Sequence, residues 1–293
     1  MRNIRKLAFR NAAGERWGLN GEMGVYASNL TGFGFTLAPT YADLSRGFFI
    51  PVSDESEPQA TIPFTLTFTK NPYETYKRLV DWLAASETIT VVYDPAGKQE
   101  YFRDVSINFL QKGEKNPVGW LEVPCSFFCN TPWYMPSPTS LGLRNGGTGS
   151  RRRYTYRYTA DLRYGSDSAA ALSGTVAGAG HVPGALELTY CGAVTNPRIK
   201  LVGNISGKTY GICSITAVFS PSDTLKFSTK YENSYVRRIS ADGTETDLLD
   251  TLDLSTTPFW HIPVNEPCTV SIESATVFSG VADLLIYYYY RSV

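Results

Sequence analysis

Residues 61–69 read TIPFTLTFT, an alternation that puts Ile62, Phe64, Leu66 and Phe68 on one face and Thr61, Thr65, Thr67 and Thr69 on the other. Successive side chains of an extended chain point to opposite faces, so a period of two predicts a half-buried strand. β-branched and aromatic residues suit that pleated surface. One face belongs to a core, and the threonine face is left for water or a partner. The period then changes within a few residues. Residues 71–85, NPYETYKRLVDWLAA, carry apolar side chains at three- and four-residue spacing: Tyr73, Tyr76, Val80 and Leu83, with Leu79 beside them. Asn71 suits the N-cap, Pro72 the first helical position and Glu74 the reciprocal half of a capping box. A helix about 21 Å long is predicted, packed across the neighbouring sheet, with Lys77, Arg78 and Asp81 off its apolar stripe.

Strands are expected on both sides of that helix. Residues 4–10 and 16–20 form a hairpin around 11–14, and residues 88–93 and 101–109 form another around Asp94-Pro95-Ala96-Gly97. Residues 120–129 alternate again, with Leu121, Val123, Cys125, Phe127 and Cys129 on one face. Strands, helix, hairpin and strand in that order predict an α+β domain, one helix on a mainly antiparallel sheet.

At 293 residues the chain is near the length where one core gives way to two. Residues 1–136 are expected as the first domain, and the Ser-, Pro- and Gly-rich stretch 137–150 as a linker. Residues 151–293 are expected as the second domain. Arg151–Arg153 open it as the basic edge of a strand. From residue 185 strands recur every ten to fifteen residues or so, the spacing of a β-sandwich. They are expected over 185–191, 198–202, 209–219, 224–229, 235–240, 268–273 and 281–291, with a hairpin turn at Asp242-Gly243. The fold class is therefore mainly β: an α+β domain followed by a sandwich.

Formal net charge is zero, which disfavours nucleic-acid or anionic-membrane binding. No run of eighteen apolar residues is present to span a bilayer, and residues 1–17 lack a signal-peptide core. Five scattered cysteines do not make a disulfide framework. Cys125 and Cys129 share a strand face and lie roughly 13 Å apart, too far for a disulfide or a common metal. Buried thiols, made in a reducing cytoplasm, are expected.

Chemistry needs converging polar groups. No nucleophile elbow, phosphate loop, zinc-protease or calcium-loop pattern occurs. His181 sits in a Gly-rich loop and His261 in the aromatic run Phe259–Ile262. Asp54/Glu55 and Asp247/Asp250 are acidic pairs of the kind usually solvated. The expectation is a protein that is not an enzyme, with no cofactor and no metal.

Four pieces of the first half occur in an order shared with a known family. The helix contains Trp82-Leu83. The hairpin runs from Tyr93 to Val105 as Y-x-P-x-G-x-x-x-Y-x-x-D-V. A strand then runs into Thr131-Pro132-Trp133-Tyr134. In these the chain resembles the distal tail proteins of long-tailed bacteriophages. Asn196-Pro197 before a strand, the Asp242-Gly243 hairpin, residues 252–262 and the tyrosine-rich last strand extend the resemblance more loosely. It implies a galectin-like sandwich for the second domain and a structural role in the virion, at the distal end of the tail. A homohexameric ring would be built by the first domains, between the tail tube and the tail-tip hub or tail-associated lysin. The sandwiches would project towards receptor-binding or side proteins. Ring or partner contacts are then expected on the 48–59 stretch, at Phe48, Phe49, Asp54, Glu55 and Glu57, and on the helix at Lys77, Arg78 and Asp81. The competing reading is a carbohydrate-binding sandwich contacting glycans through Trp260 and His261.

Overall fold

A computed structural model describes residues 5–37, 40–43, 49–53, 56–58, 60–144, 171–178, 180–274 and 280–293. The chain divides into two compact units, Met1–Met135 with Tyr289–Val293, and Pro136–Tyr288.

The first unit holds β1 (Lys6–Asn11), β2 (Arg16–Gly18), β3 (Val25–Ser28), β4 (Phe35–Leu37), β5 (Thr40–Asp43), β6 (Phe49–Ser53), β7 (Ser56–Pro58), β8 (Thr61–Phe68), α1 (Pro72–Ala84), β9 (Ile89–Asp94), β10 (Tyr101–Leu110), β11 (Leu121–Cys129) and the start of β12 (Trp133–Arg144). Its main sheet runs β2-β1-β9-β10-β11-β8-β3, antiparallel at every step. Backbone bonds from Gly21 to Val25 and from Ala27 to Leu19 join the two end strands. On β8, Ile62, Phe64, Leu66 and Phe68 are all buried, as the alternation requires. They lie opposite Phe127, Cys125, Val123 and Leu121 of β11, whose alternation is complementary.

Helix α1 packs a different stripe from the one expected. Pro72, Thr75, Leu79 and Leu83 are buried, Tyr76 and Val80 are half-buried, and Tyr73 is exposed. Both stripes obey the helical period, and they differ by a rotation of about one residue. Thr75 decides it: its hydroxyl donates to the Lys70 carbonyl at 2.8 Å, so a polar side chain can be buried at no loss. Asn71 makes no side-chain cap, because its backbone is left-handed (φ 41°) where a side-chain N-cap needs the extended region. Tyr76 meets Phe68 edge-on at 5.8 Å and Trp82 packs on Trp17 at 6.0 Å.

In the second unit β12 continues to Arg144, so residues 137–144 of the expected linker are strand, and 145–150 lie outside the described residues. Arg151–Arg153 lie outside them too. The strands are β13 (Ala171–Val176), β14 (Val182–Cys191), β15 (Val194–Thr195), β16 (Arg198–Gly203), β17 (Thr209–Ser214), β18 (Val218–Phe219), β19 (Thr224–Lys230), β20 (Asn233–Ile239), β21 (Glu245–Asp247), β22 (Cys268–Glu273) and β23 (Val281–Tyr290). They form a galectin-like sandwich. One sheet runs β12-β13-β22-β16-β17 and the other β23-β14-β19-β20-β21, and β12 also pairs with β23. The strand expected over 209–219 is two strands, since β18 leaves the sheet to pair with β15. Asp242-Gly243 makes the expected turn, with Gly243 at φ 85°.

Strand alternation predicts that two of the tyrosines 287–290 face in and two out, and they do not split that way. Tyr287, Tyr288 and Tyr289 are buried and Tyr290 is half-buried, because both faces of the strand end are covered. Tyr287 donates to Glu187 at 2.7 Å under the Lys230 ammonium, Tyr289 meets Tyr134, and Tyr290 meets Tyr101 edge-on at 5.5 Å. All five cysteines are free. Burial pushes the Cys125 and Cys213 thiols up to about 12, which makes them inert. Cys191 departs from the expectation in being exposed.

Candidate assembly surface

Strand β10 is ten residues long and β9 is six. β9 pairs with it only from Tyr101 to Val105, so beyond Val105 one edge of β10 has no strand beside it among the described residues. Ser106, Ile107, Asn108 and Phe109 are exposed there. Cross-strand register puts Phe109 opposite Ser126, and Ser106 opposite Phe128. It then puts Ser126 opposite Pro63 and Phe128 opposite Thr61. Phe109, Phe128, Pro63 and Pro124 therefore share the sheet face that does not meet the core. Ile107, Phe109 and Phe128 are 42%, 44% and 48% exposed, and Val118 and Trp120 stand exposed on the same hairpin. Phe109 and Phe128 share one face with Pro63 and Pro124, Ile107 lies opposite Phe127 on the other face, and Val118 and Trp120 stand at the far end of the hairpin. Sequence reading missed this edge, although a returning strand that outruns its partner by four residues was a usable signal.

The second feature lies between β3 and β8. β4 pairs with β7 and β5 with β6, giving two nested two-stranded ladders with no third strand among the described residues. A lone two-stranded ribbon is marginal in water. Of the contacts expected here, Phe49 lies in β6 and Glu57 in β7, while Phe48, Asp54 and Glu55 lie outside the described residues.

On the helix, Lys77 and Asp81 are exposed and paired with each other at 2.9 Å, and the Arg78 guanidinium lies 5.9 Å from the Trp17 ring. Beside them the ammonium groups of Lys112 and Lys115 sit 4.9 and 4.5 Å from the ring of Tyr73, whose hydroxyl donates to Glu114 at 2.6 Å.

The residues that carry the family resemblance meet in the interior of the unit. Arg103 is buried and donates to the Thr131 carbonyl at 2.9 Å. The Asp104 N–H donates to the Thr131 hydroxyl, and Tyr134 donates to the Asp104 carboxylate at 3.0 Å. Trp133 is fully buried, stacked on Phe33 at 5.2 Å. Burial would raise the Asp94 carboxyl, but the N–H groups of Ala96, Gly97, Lys98 and Gln99 hold it below its ordinary value. These residues build turns and core.

Trp260 is 3% exposed, packed beside Phe227 and over Gly211, so it cannot offer a face to a sugar ring. His261 stacks on Tyr231 at 3.9 Å and burial favours its neutral form. A cavity of about 260 Å³ near β1 and β9 is lined by Lys6, Arg16, Asn20, Glu22, Asp94 and Glu100, with Arg16 and Glu100 paired across it. Among the described residues no group of three or more His, Cys, Asp or Glu could hold a metal, and no helix is long and apolar enough to cross a membrane.

Residues 6–130 match the family model described as distal tail protein, N-terminal domain. The fold is similar to a chain of the phage P2 baseplate in its activated conformation with calcium: TM-score 0.70, 15% identity, covering 99% of this chain and 100% of that one. It is also similar to the Dit (gp 19.1) protein of SPP1, described as a paradigm of the hub adsorption apparatus in phages infecting Gram-positive bacteria: TM-score 0.57, 9% identity, 97% and 98% covered. No curated protein sequence matches the chain.

Proposed function

We infer that this chain is the protomer of a homohexameric ring that joins the tail tube to the tail-tip hub or tail-associated lysin. The observation that carries this reading is that the unmatched surface lies on the first unit, the one the distal tail model covers. Protomers in a closed ring need two complementary patches, and this unit has an apolar edge and an unpaired ribbon. The residues first nominated keep their place as contacts: Phe48, Phe49, Asp54, Glu55 and Glu57 on the ribbon, and Lys77, Arg78 and Asp81 on the helix. The sandwich serves as the outward platform for receptor-binding or side proteins. The role is structural and not catalytic, and the particle is assembled in the host cytoplasm. Negative-stain images of the purified protein, alone and with its tail partners, test the reading. Six-fold rings are expected in at least one condition, and strict monomers in both would overturn it.

A further inference from the structure

We propose that the cavity beside β1, β2 and β9 is a binding site for a protonated alkylamine, either a free polyamine or the lysine side chain of a partner protein. The site stands apart from the edge and ribbon invoked for the ring and does not depend on that reading.

Small side chains in cross-strand register make its floor. Ala8 lies opposite Gly18 on one side and Val92 on the other, and all three line the cavity. Their neighbours along the strands, Leu7, Phe9, Trp17 and Val91, belong to the core cluster, so the floor is the other face of the sheet. A Cβ at Gly18 would collide with the Glu22 carboxylate, so the glycine lets that carboxylate lie over the floor. The volume, about 260 Å³, falls short of the roughly 300–1,000 Å³ that holds a drug-sized ligand. It suits a single unbranched chain with a charged end.

The walls decide the sign of the ligand. Three carboxylates, Glu22, Asp94 and Glu100, face two cations, Lys6 and Arg16. Arg16 is already engaged: its two Nη groups donate to the two Glu100 oxygens at 2.6 and 2.8 Å. That fork holds the Glu100 carboxyl below its ordinary value, against burial and the charge of Asp94, which push it up. Asp94 and Glu100 therefore repel each other, and a cation placed between them relieves the repulsion. Neither Glu22 nor Lys6 has an ion pair among the described residues. Lys6 is exposed, and its flexible stem can turn the ammonium into water when another cation enters. The three carboxylates do not come together as a metal-binding group, so an organic cation is the better fit. Its ammonium would lie among the carboxylates while its methylenes cover Ala8 and Val92.

Calorimetric titration of the full-length protein tests the site with putrescine, N-acetyl-lysine methylamide, 1,4-butanediol and acetate at matched ionic strength. Saturable binding of the amines is expected, with none of the neutral diol or of acetate. Lys6→Gln should tighten amine binding and Glu22→Gln should weaken it, each by about three- to fivefold, as for a partly exposed charge. Both positions are exposed, so neither variant should move the thermal transition. Gly18→Ala should act like Glu22→Gln, because the added Cβ displaces the Glu22 carboxylate. Tighter binding of putrescine supports the site and assigns it to a free polyamine. Equal or tighter binding of the blocked lysine supports it and assigns it to the side chain of a partner protein. No heat from either amine, equal heat from the diol, binding of acetate in place of the amines, or amine binding that Lys6→Gln and Glu22→Gln leave unchanged sinks the proposal. The ring reading is untouched by any of these results.

Discussion

The two units spend their apolar residues differently. In the sandwich the large apolar side chains that remain exposed are scattered, with Ile205, Val218, Tyr231, Leu249, Leu254 and Val281 each in a different turn, strand or connection. Isolated exposures of that kind are ordinary on any folded surface. In the first unit five of them sit on the single hairpin between Ile107 and Phe128. In the sandwich Trp260 packs beside Phe227 and over Gly211, and Tyr287 is buried against Glu187 and Lys230. The first unit closes its core equally well but leaves an edge and a ribbon unfinished. On the ring reading, assembly falls to the first unit. Breaking each core in turn should test that assignment.

The largest effect is expected from Leu79→Asp. Leu79 is fully buried in the cluster formed with Phe68, Leu83 and Val91. A buried unpaired carboxylate adds a desolvation cost to the lost packing, about 3–5 kcal/mol or more. That is a large fraction of the stability of an ordinary domain, about 5–15 kcal/mol. Calorimetry should show loss of one transition while that of the sandwich persists, and rings should vanish. Val80→Asp, at a half-buried position, should cost clearly less. The opposite ranking would mean that the helix is rotated back to the stripe its spacing first suggested.

Gly211→Val makes the matching cut in the sandwich. A Cβ at Gly211 would lie 2.2 Å from Trp260 Cδ1, so the indole must leave its place. Overpacking of this sort costs about 1–3 kcal/mol. The sandwich transition should fall in temperature while rings still form. Rings that disappear with it would show that the second unit contributes to closure.

Acid offers a gentler cut, read on the transition of the sandwich. The Glu266 carboxylate accepts from the N–H groups of Ile205 and Ser206 and from the hydroxyls of Ser206 and Tyr210, which hold it down at about 2. A carboxyl lower in the folded state than in the unfolded one stabilises at every pH above its unfolded value of about 4.3. That contribution is lost as pH falls from there to about 2. The sandwich should lose thermal stability over this window, and Glu266→Gln should flatten the slope. An unchanged slope in the variant would show that the turn at 203–208 holds without the carboxylate.

What could be read from the chain alone follows the reach of each signal. The faces of β8 and β11 were legible because a period of two admits no rotation: a residue is in or out. The helix was legible as an element but not in its rotation, since Thr75 is buried by a hydrogen bond to Lys70 that no hydropathy pattern encodes. The tyrosine alternation failed because burial on a strand end depends on what covers each face, which is a tertiary fact. Trp260 admitted both a core and a glycan-facing reading, with core packing favoured, because the neighbours that decide it, Gly211 and Phe227, are distant in sequence. The β10 edge escaped notice because it depends on where β9 stops, a property of pairing and not of either strand.

The smallest effect on stability, and the one that most sharpens the comparison, is expected from Lys77→Ala/Asp81→Ala. The pair is 2.9 Å apart with side chains 78% and 61% exposed, and solvent screens such pairs until they add little to stability. The melting temperature of the first unit should not move. If the helix face is a ring contact, association should weaken all the same, because a neighbour would desolvate the two charges that water now screens. Arg78→Ala is the internal control: it removes a guanidinium packed over Trp17, so it should lower the melting temperature slightly. A double variant that alters neither melting nor association would leave Lys77 and Asp81 as a solvated pair. The contact surface of the first unit would then narrow to the ribbon and the β10 hairpin.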